Sequence, residues 1–293
     1  MSTTVPSAEP IAEARRLHAS AEREGIAARL LGGAAVALST DVPLPAVLQR
    51  PYKDLDYVVR RSDARRWREF LESNGYEADA QFNALHGSQR LLHFDAVNNR
   101  QLDTFVSTFA MCHTIDLEDR LPPDSPTLAP EDILLTKLQI FEINDKDLID
   151  SIALLLSHPV TSGGEPGISS ERLAKVVGND WGWFTTVADN LDKVAARLQT
   201  VGLEEADAQT VSARLAEVNE VMATAPKSIR WRARARIGRR LPWYDLPEEV
   251  NLSPGTDLDS ATPLRGRRSA ARFCRNCRCT GCGNSASSEG CMS

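Results

Sequence analysis

The stretch Lys53-Asp54-Leu55-Asp56-Tyr57-Val58-Val59 decides how this chain is read, together with Leu31-Gly32-Gly33 before it and Gln101-Leu102-Asp103-Thr104-Phe105-Val106 after it. Leu55, Tyr57, Val58 and Val59 have the apolar and β-branched composition of a strand, on which side chains two apart share a face. Asp54 and Asp56 are therefore expected to point the same way, with Cα atoms ~6–7 Å apart. Two carboxylates so placed repel each other unless a cation lies between them. Oxygen donors of this kind suit Mg²⁺, which takes one or two carboxylates and completes its shell with water and substrate phosphates. A glycine pair nearby leaves backbone N–H groups open to a phosphate, because no Cβ stands in front of them. Each feature also has a plain explanation, a solvated acidic pair and a turn. Their order, strand, Gly-Gly, helix, Asp-Leu-Asp strand and a further strand with Asp103, favours a metal-nucleotide site.

In that order the segments resemble the nucleotidyltransferase superfamily, whose motif is an apolar residue, Gly-Gly or Gly-Ser, a helix, then Asp-apolar-Asp on a strand, with a third acid on a neighbouring strand. Gly32, Gly33, Asp54 and Asp56 match this motif, and Asp103 is the candidate third acid. The segment from Gly33 to Asp54, with Pro43, Pro45 and Pro51, is longer than the family pattern. The resemblance implies an α+β fold, a mixed β-sheet flanked by helices, and an enzyme that moves a nucleoside monophosphate from an NTP such as ATP to an acceptor hydroxyl with Mg²⁺. Asp54, Asp56 and Asp103 would then be the catalytic and metal-binding residues.

Around the central stretch, residues 8–24 carry Ile11, Ala14, Leu17 and Ala21 at helical spacing and end at Gly25. Residues 28–31 read as a strand and 34–39 as a helix behind Gly32-Gly33. Ser62 reads as the N-cap of a helix with Trp67, Phe70 and Leu71, stopped by Asn74-Gly75. Residues 90–97 and 101–107 are apolar runs joined through Asn98-Asn99, a hairpin signal because Asn tolerates positive φ. Asp95, on the first arm, is the alternative to Asp103. A strand over 113–117, a proline-rich link over 121–130 and helices over 131–143 and 146–157 follow.

Ile133, Leu134, Lys137, Leu138 and Phe141 repeat at helical spacing, which sets Lys137 in an apolar stripe. It can snorkel to water from the core edge, or serve as a point charge for a triphosphate. Thr136-Lys137-Leu138 followed by Lys146-Asp147-Leu148-Ile149-Asp150 resembles two motifs of the AbiEii-like toxin nucleotidyltransferases. That likeness implies nucleotide-binding roles for Lys137, Asp147 and Asp150, beside Gly32 and Gly33, and an antitoxin partner. An acid near a helix N-terminus is also explained by the macrodipole alone.

Residues 159–168 read as a Gly/Pro linker, and 169–222 as helical throughout, with Trp181 and Trp183 as core or docking residues. The expected organisation is a nucleotidyltransferase-like domain over 1–158, a helical domain over 169–250 and a disordered tail over 251–293. Five of the six cysteines lie in the last twenty residues. Their Cys274-x-x-Cys277-x-Cys279-x-x-Cys282 pattern has one residue between its pairs, tight for a tetrahedral zinc site. No disulfide framework is expected.

With 293 residues, 42% hydrophobic and 25% charged, the chain can bury one good core and a smaller second one. It shows neither a basic-then-apolar leader nor a run long enough to span a bilayer, so a cytoplasmic location and no membrane partner are expected. The net charge of -6 gives no global attraction to nucleic acid, yet residues 227–240 hold seven basic residues and no acid. That patch is a surface for an RNA acceptor, with Trp231 stacking a base, or else a solvated charged helix or a patch that docks against the acidic first domain. Walker A, Gly-x-Gly-x-x-Gly, Gly-x-Ser-x-Gly and His-Glu-x-x-His motifs are absent. A non-catalytic nucleotide-binding or partner-binding protein of the same fold is the alternative function, as is the toxin of a toxin-antitoxin pair.

Overall fold

In the computed structural model, which describes residues 5–40 and 43–246, the Asp-Leu-Asp segment leads into an interior strand of a five-stranded sheet. The chain runs α1 (Pro10–Arg23), β1 (Ala28–Leu31), α2 (Gly32–Leu38), β2 (Leu55–Val59), α3 (Ala64–Ser73), β3 (Glu77–Ala78) and α4 (Ala80–His86). It continues through β4 (Arg90–Asp95), β5 (Arg100–Val106), β6 (Thr108–Ala110), β7 (Thr114–Asp116), α5 (Pro130–Leu138) and α6 (Asp145–Ser157). Then come β8 (Val160–Thr161), β9 (Ile168–Ser169), α7 (Ser170–Asn179), α8 (Trp181–Leu198), α9 (Glu205–Thr224) and α10 (Ile229–Ile237). This is the α+β architecture expected from the sequence.

The sheet order is β1-β2-β5-β4-β3, with β2 parallel to β5 and the other neighbours antiparallel. Leu55, Tyr57, Val58 and Val59 are buried, because β2 has neighbours on both edges and apolar cover on both faces. The outer edge of β1 is closed by residues 126–128, through Leu30 N–H to the Pro126 carbonyl at 2.8 Å and Leu128 N–H to the Leu30 carbonyl at 3.0 Å. The Asn98-Asn99 turn is present, with Asn99 at φ 49°.

Several boundaries differ from the sequence reading. α2 begins at Gly32 itself, so the glycine pair forms its first turn. α3 begins after Asp63 and not after Ser62. The helix expected to reach residue 143 stops at Leu138, where the Asn190 side chain donates to the carbonyls of Leu138 (2.9 Å) and Ile140 (2.7 Å). This tertiary cap holds 139–144 as a turn. The expected linker over 159–168 contains the short parallel pair β8–β9. α7, α8 and α9 follow as the expected helical region, anchored on α5 by Asp132, which is buried and bound by Arg120 and Arg172 at 2.8 Å each. The Cys-rich segment and the tail from 251 lie outside the described residues.

His93 on β4 is fully buried, and neither ring nitrogen has a hydrogen-bond partner. Burial, aided by Arg68, lowers its pKa to about 4. Between pH 6.5 and 4 the unfolded chain thus binds a proton that the folded chain refuses, and stability falls as pH falls through that window. His93→Leu should remove about 2–3 kcal/mol of this acid sensitivity. Urea unfolding of both proteins at pH 7 and pH 4.5 checks it: parallel losses in the two would clear His93.

Candidate active site

β2 and β5 run parallel in register with Asp56 opposite Asp103, so the two carboxylates stand side by side on one face of the sheet. Asp54, exposed just before β2, belongs to the same face. Asp103 is buried and held at both oxygens, by Arg90 Nε at 2.8 Å and Gln101 Nε2 at 2.7 Å. The Arg90 guanidinium in turn lies over the Phe105 ring at 5.2 Å. Asp56 bears the cost of the arrangement. Burial first, then the Asp103 and Asp54 charges, push its pKa up to about 7, against the pull of Lys137 and Arg90. Asp95, the alternative acid, is fully buried and paired with Arg100 at 2.6 Å. It stands at the far end of the hairpin, opposite Arg100 in the β4–β5 ladder, and belongs to the core.

The glycine pair has a steric reason. Gly32 sits at φ +74°, and a Cβ there would lie 2.1 Å from Asp56 Oδ2. A Cβ on Gly33 would lie 2.0 Å from Arg50 Nη2. Only bare backbone lets the Asp56 carboxylate and the Arg50 guanidinium come this close to the start of α2.

Across the cleft, α5 and α6 supply the opposite charge. Lys137 Nζ lies 2.7 Å from Asp147 and 2.9 Å from Asp150, and Asp150 also takes a two-pronged contact from Arg50 at 2.7 and 2.9 Å. Burial works against the Lys137 charge, yet Asp147 and Asp150 outweigh it and raise its pKa. Burial likewise works against the Asp150 carboxylate, but Arg50 and Lys137 hold its pKa below the usual range. Asn144 caps α6, accepting from Asp147 N–H at 3.0 Å, and its amide donates to Asp147 Oδ2 at 2.9 Å. The Lys137 stripe therefore does not send its ammonium out to water; two carboxylates one turn apart on α6 hold it at the cleft wall.

These groups line an open cavity of about 230 Å³ that reaches from Gly33 and Asp56 to Lys137 and Asp147, with Lys53 and Lys146 at its rim. Gly33, Asp54, Asp56, Lys137 and Asp147 thus meet at one place, with Gly32 against Asp56. Asp103 adjoins it through Asp56, and Asp150 through Lys137 and Arg50. Sequence reasoning missed Arg50 and Tyr52, which also line it, and Arg90 and Gln101, which hold Asp103. Arg50, four residues before Asp54 in the unexplained loop, carried a signal only in its charge. The partner of Arg50 comes from distant sequence, whereas Arg90 meets Asp103 across the β4–β5 hairpin. A larger cavity, about 780 Å³, lies by the β6–β7 hairpin with Trp183 and Trp243 in its wall, away from these acids.

Among the described residues no three His, Cys, Asp or Glu side chains are grouped to hold a metal. The donor set does suit Mg²⁺ through two carboxylates. Asp56 is a crowded, partly buried acid whose raised pKa a cation would relieve, and Asp54 beside it is exposed.

The sequence profile of a family described as uncharacterised nucleotidyltransferases matches residues 7–153. This chain belongs to that nucleotidyltransferase family. Its match covers every element that builds the cleft as far as Asp150 on α6. No protein with a curated description matches the chain. Among solved structures, a lincomycin-bound lincosamide antibiotic adenylyltransferase aligns with 51% of this chain and 96% of its own, at 15% identity and a TM-score of 0.37. An antigenic nucleotidyltransferase-like protein from Paracoccidioides brasiliensis aligns with 76% of this chain and 96% of its own, at 14% identity and a TM-score of 0.37.

Beyond the family match, the basic segment of this nucleotidyltransferase forms α10 and the turn after it. Trp231 is half-buried and packs at a right angle against Phe184 at 5.3 Å, with Lys227 Nζ 5.6 Å from its centroid. Trp183 is buried, as expected of a core residue, while Trp181 lies under Arg234 at 4.8 Å. No helix among the described residues is long and apolar enough to cross a membrane.

Proposed function

We propose that this nucleotidyltransferase moves a nucleoside monophosphate from an NTP such as ATP to an acceptor hydroxyl on RNA, a protein or a small molecule. The acceptor oxygen bonds to the α-phosphorus as the bond to the β-phosphate oxygen breaks, and pyrophosphate leaves. The observation that carries this reading is the meeting of Asp56, Gly32-Gly33 and Lys137 around one cleft in a chain of this family. Asp54 and Asp56 are the residues that would hold Mg²⁺, which supplies charge neutralisation for the phosphates when bound. Asp103, fixed by Arg90 and Gln101 beside Asp56, is the third acid; it would complete the metal site or help take the proton from the attacking hydroxyl. Backbone N–H groups at Gly33 and the Lys137 ammonium would take the triphosphate oxygens, a task of positioning and electrostatics. Asp147 and Asp150 orient Lys137 and Arg50 for it.

Incubation with α-labelled NTP, Mg²⁺ and pooled cellular RNA and protein tests the proposal. Label transfer with pyrophosphate release is expected. Calorimetric NTP binding without release would favour the non-catalytic nucleotide-binding reading. The other reading is the toxin of a toxin-antitoxin pair. It requires growth arrest on expression, relieved by an antitoxin from a neighbouring gene.

Lys137→Met separates the two duties of this lysine. Sequence alone suggests little effect on stability, since Met keeps the apolar stem. With two carboxylates relying on the ammonium, the variant should instead lose about 1–3 kcal/mol, tempered because Arg50 still pairs Asp150. NTP affinity should fall by a charge-assisted contact, about 1.5–3 kcal/mol. Urea melts and nucleotide titrations on the same samples read both, and unchanged affinity would confine Lys137 to the fold.

A further inference from the structure

Of eight large apolar side chains left exposed among the described residues, four, Ile229, Ile237, Leu241 and Leu246, fall on α10 and the segment after it. Ile229 is 85% exposed and Ile237 42%. Four-residue spacing puts Ile229, Ala233 and Ile237 on one ridge, about 6 Å apart. All three face away from Trp231, which turns inward onto Phe184. Arg232 and Arg236 form the adjoining ridge, and Arg230 lies on the other flank.

The arginines of this segment divide into two sets. Arg234 is spent on the carbonyls of Gly238 and Leu241 (2.6 and 2.8 Å), and Arg239 on Asp189 at 2.6 Å. The side chains of Arg230, Arg232, Arg236 and Arg240 are exposed and have no hydrogen-bond or ion-pair partner among the described residues. The outward face of α10 is thus an apolar ridge between unpaired guanidinium groups, on a helix whose inner side packs on α7 and α8.

We propose that this face docks on an anionic phospholipid surface, a contact beyond the nucleotidyl-transfer chemistry and independent of it. A bilayer interface offers phosphates to the arginines and a shallow apolar layer to Ile229 and Ile237 together. A nucleic-acid backbone would use the arginines and leave the isoleucines in water. Expectation of no membrane partner rested on the lack of a spanning segment, and surface attachment needs none. With a net charge of -6 on the chain, the attraction is local and should be screened readily by salt.

The test is co-sedimentation of the full chain with vesicles of phosphatidylcholine alone or mixed with phosphatidylglycerol, at low and high salt, with polyuridylate RNA as a competing ligand. Binding is expected to the mixed vesicles only, and to be lost at high salt. Arg232→Gln/Arg236→Gln and Ile229→Ser/Ile237→Ser should each weaken it about tenfold or more. Their exposed positions should leave circular dichroism and NTP binding unchanged. No sedimentation with phosphatidylglycerol at low salt overturns the proposal. So does vesicle binding indifferent to the isoleucine pair but displaced by polyuridylate, which would make the arginines a nucleic-acid surface.

Discussion

Asp56→Asn is expected to abolish Mg²⁺-dependent nucleotide turnover while leaving the protein at least as stable as its parent. Asp56 holds its charge against burial and against Asp103, which is why its pKa rises to about 7. The sign for stability follows from that rise. The folded state binds the Asp56 proton more tightly than the unfolded state, so the group favours folding at low pH and opposes it as pH climbs towards 7. Removing the charge should add on the order of 2 kcal/mol at pH 8, less at pH 5. Metal-dependent NTP binding should show the reverse trend in the parent, falling roughly tenfold per pH unit below pH 7, because the metal needs the carboxylate. Asp103→Asn should move that midpoint to lower pH. Asp54→Asn should also remove Mg²⁺ dependence, with little change in stability, since Asp54 is exposed. Calorimetric Mg-NTP titrations from pH 5 to 8.5 read all three; wild-type affinity in both Asp54 and Asp56 variants would place the metal site elsewhere.

Gly32→Ala should be nearly as damaging, by a different route. The new methyl would meet Asp56 Oδ2 at 2.1 Å, at a backbone φ of +74° that L side chains resist. Asp56 is short and rooted in an interior strand, so the carboxylate must turn away from the cleft. A displacement of about 1 Å in a positioned group costs on the order of a hundredfold in rate, and the strained backbone about 1–3 kcal/mol in stability. Gly33→Ala makes the control. Its methyl meets Arg50 Nη2, the far end of a flexible side chain, and Gly33 has no left-handed backbone to lose. Gly33→Ala should therefore stay folded and shift nucleotide affinity through Arg50 and Asp150. Equal rates in Gly32→Ala and the parent would mean that Asp56 has more room than the fold suggests.

Much of this was legible in the chain itself. Alternation in Leu55-Asp56-Tyr57 fixes which side chains leave the apolar face, and Asn98-Asn99 fixes a hairpin, because both are local consequences of backbone geometry. The Gly-Gly and Asp-Leu-Asp pair carried the family for the same reason: each residue acts through its own strand or turn. Helix ends were less secure. α5 stops at Leu138 because Asn190, more than fifty residues on, takes its carbonyl, and nothing within the 131–143 stretch announces that.

What only tertiary structure decided was the pairing of charges. The sequence offered Lys137 as a point charge for a triphosphate or a snorkel, Asp147 and Asp150 as nucleotide contacts or macrodipole acids, and Asp103 as the third acid. Folding sets Lys137 and Arg50 against Asp147 and Asp150, and closes Arg90 and Gln101 on Asp103. It also turns Trp231 inward while leaving Ile229 outside. Backbone patterns are set by neighbours in the chain, whereas the state of a charged side chain is set by whichever opposite charge the packing brings within about 3–4 Å, through a Coulomb energy that steepens as water is excluded.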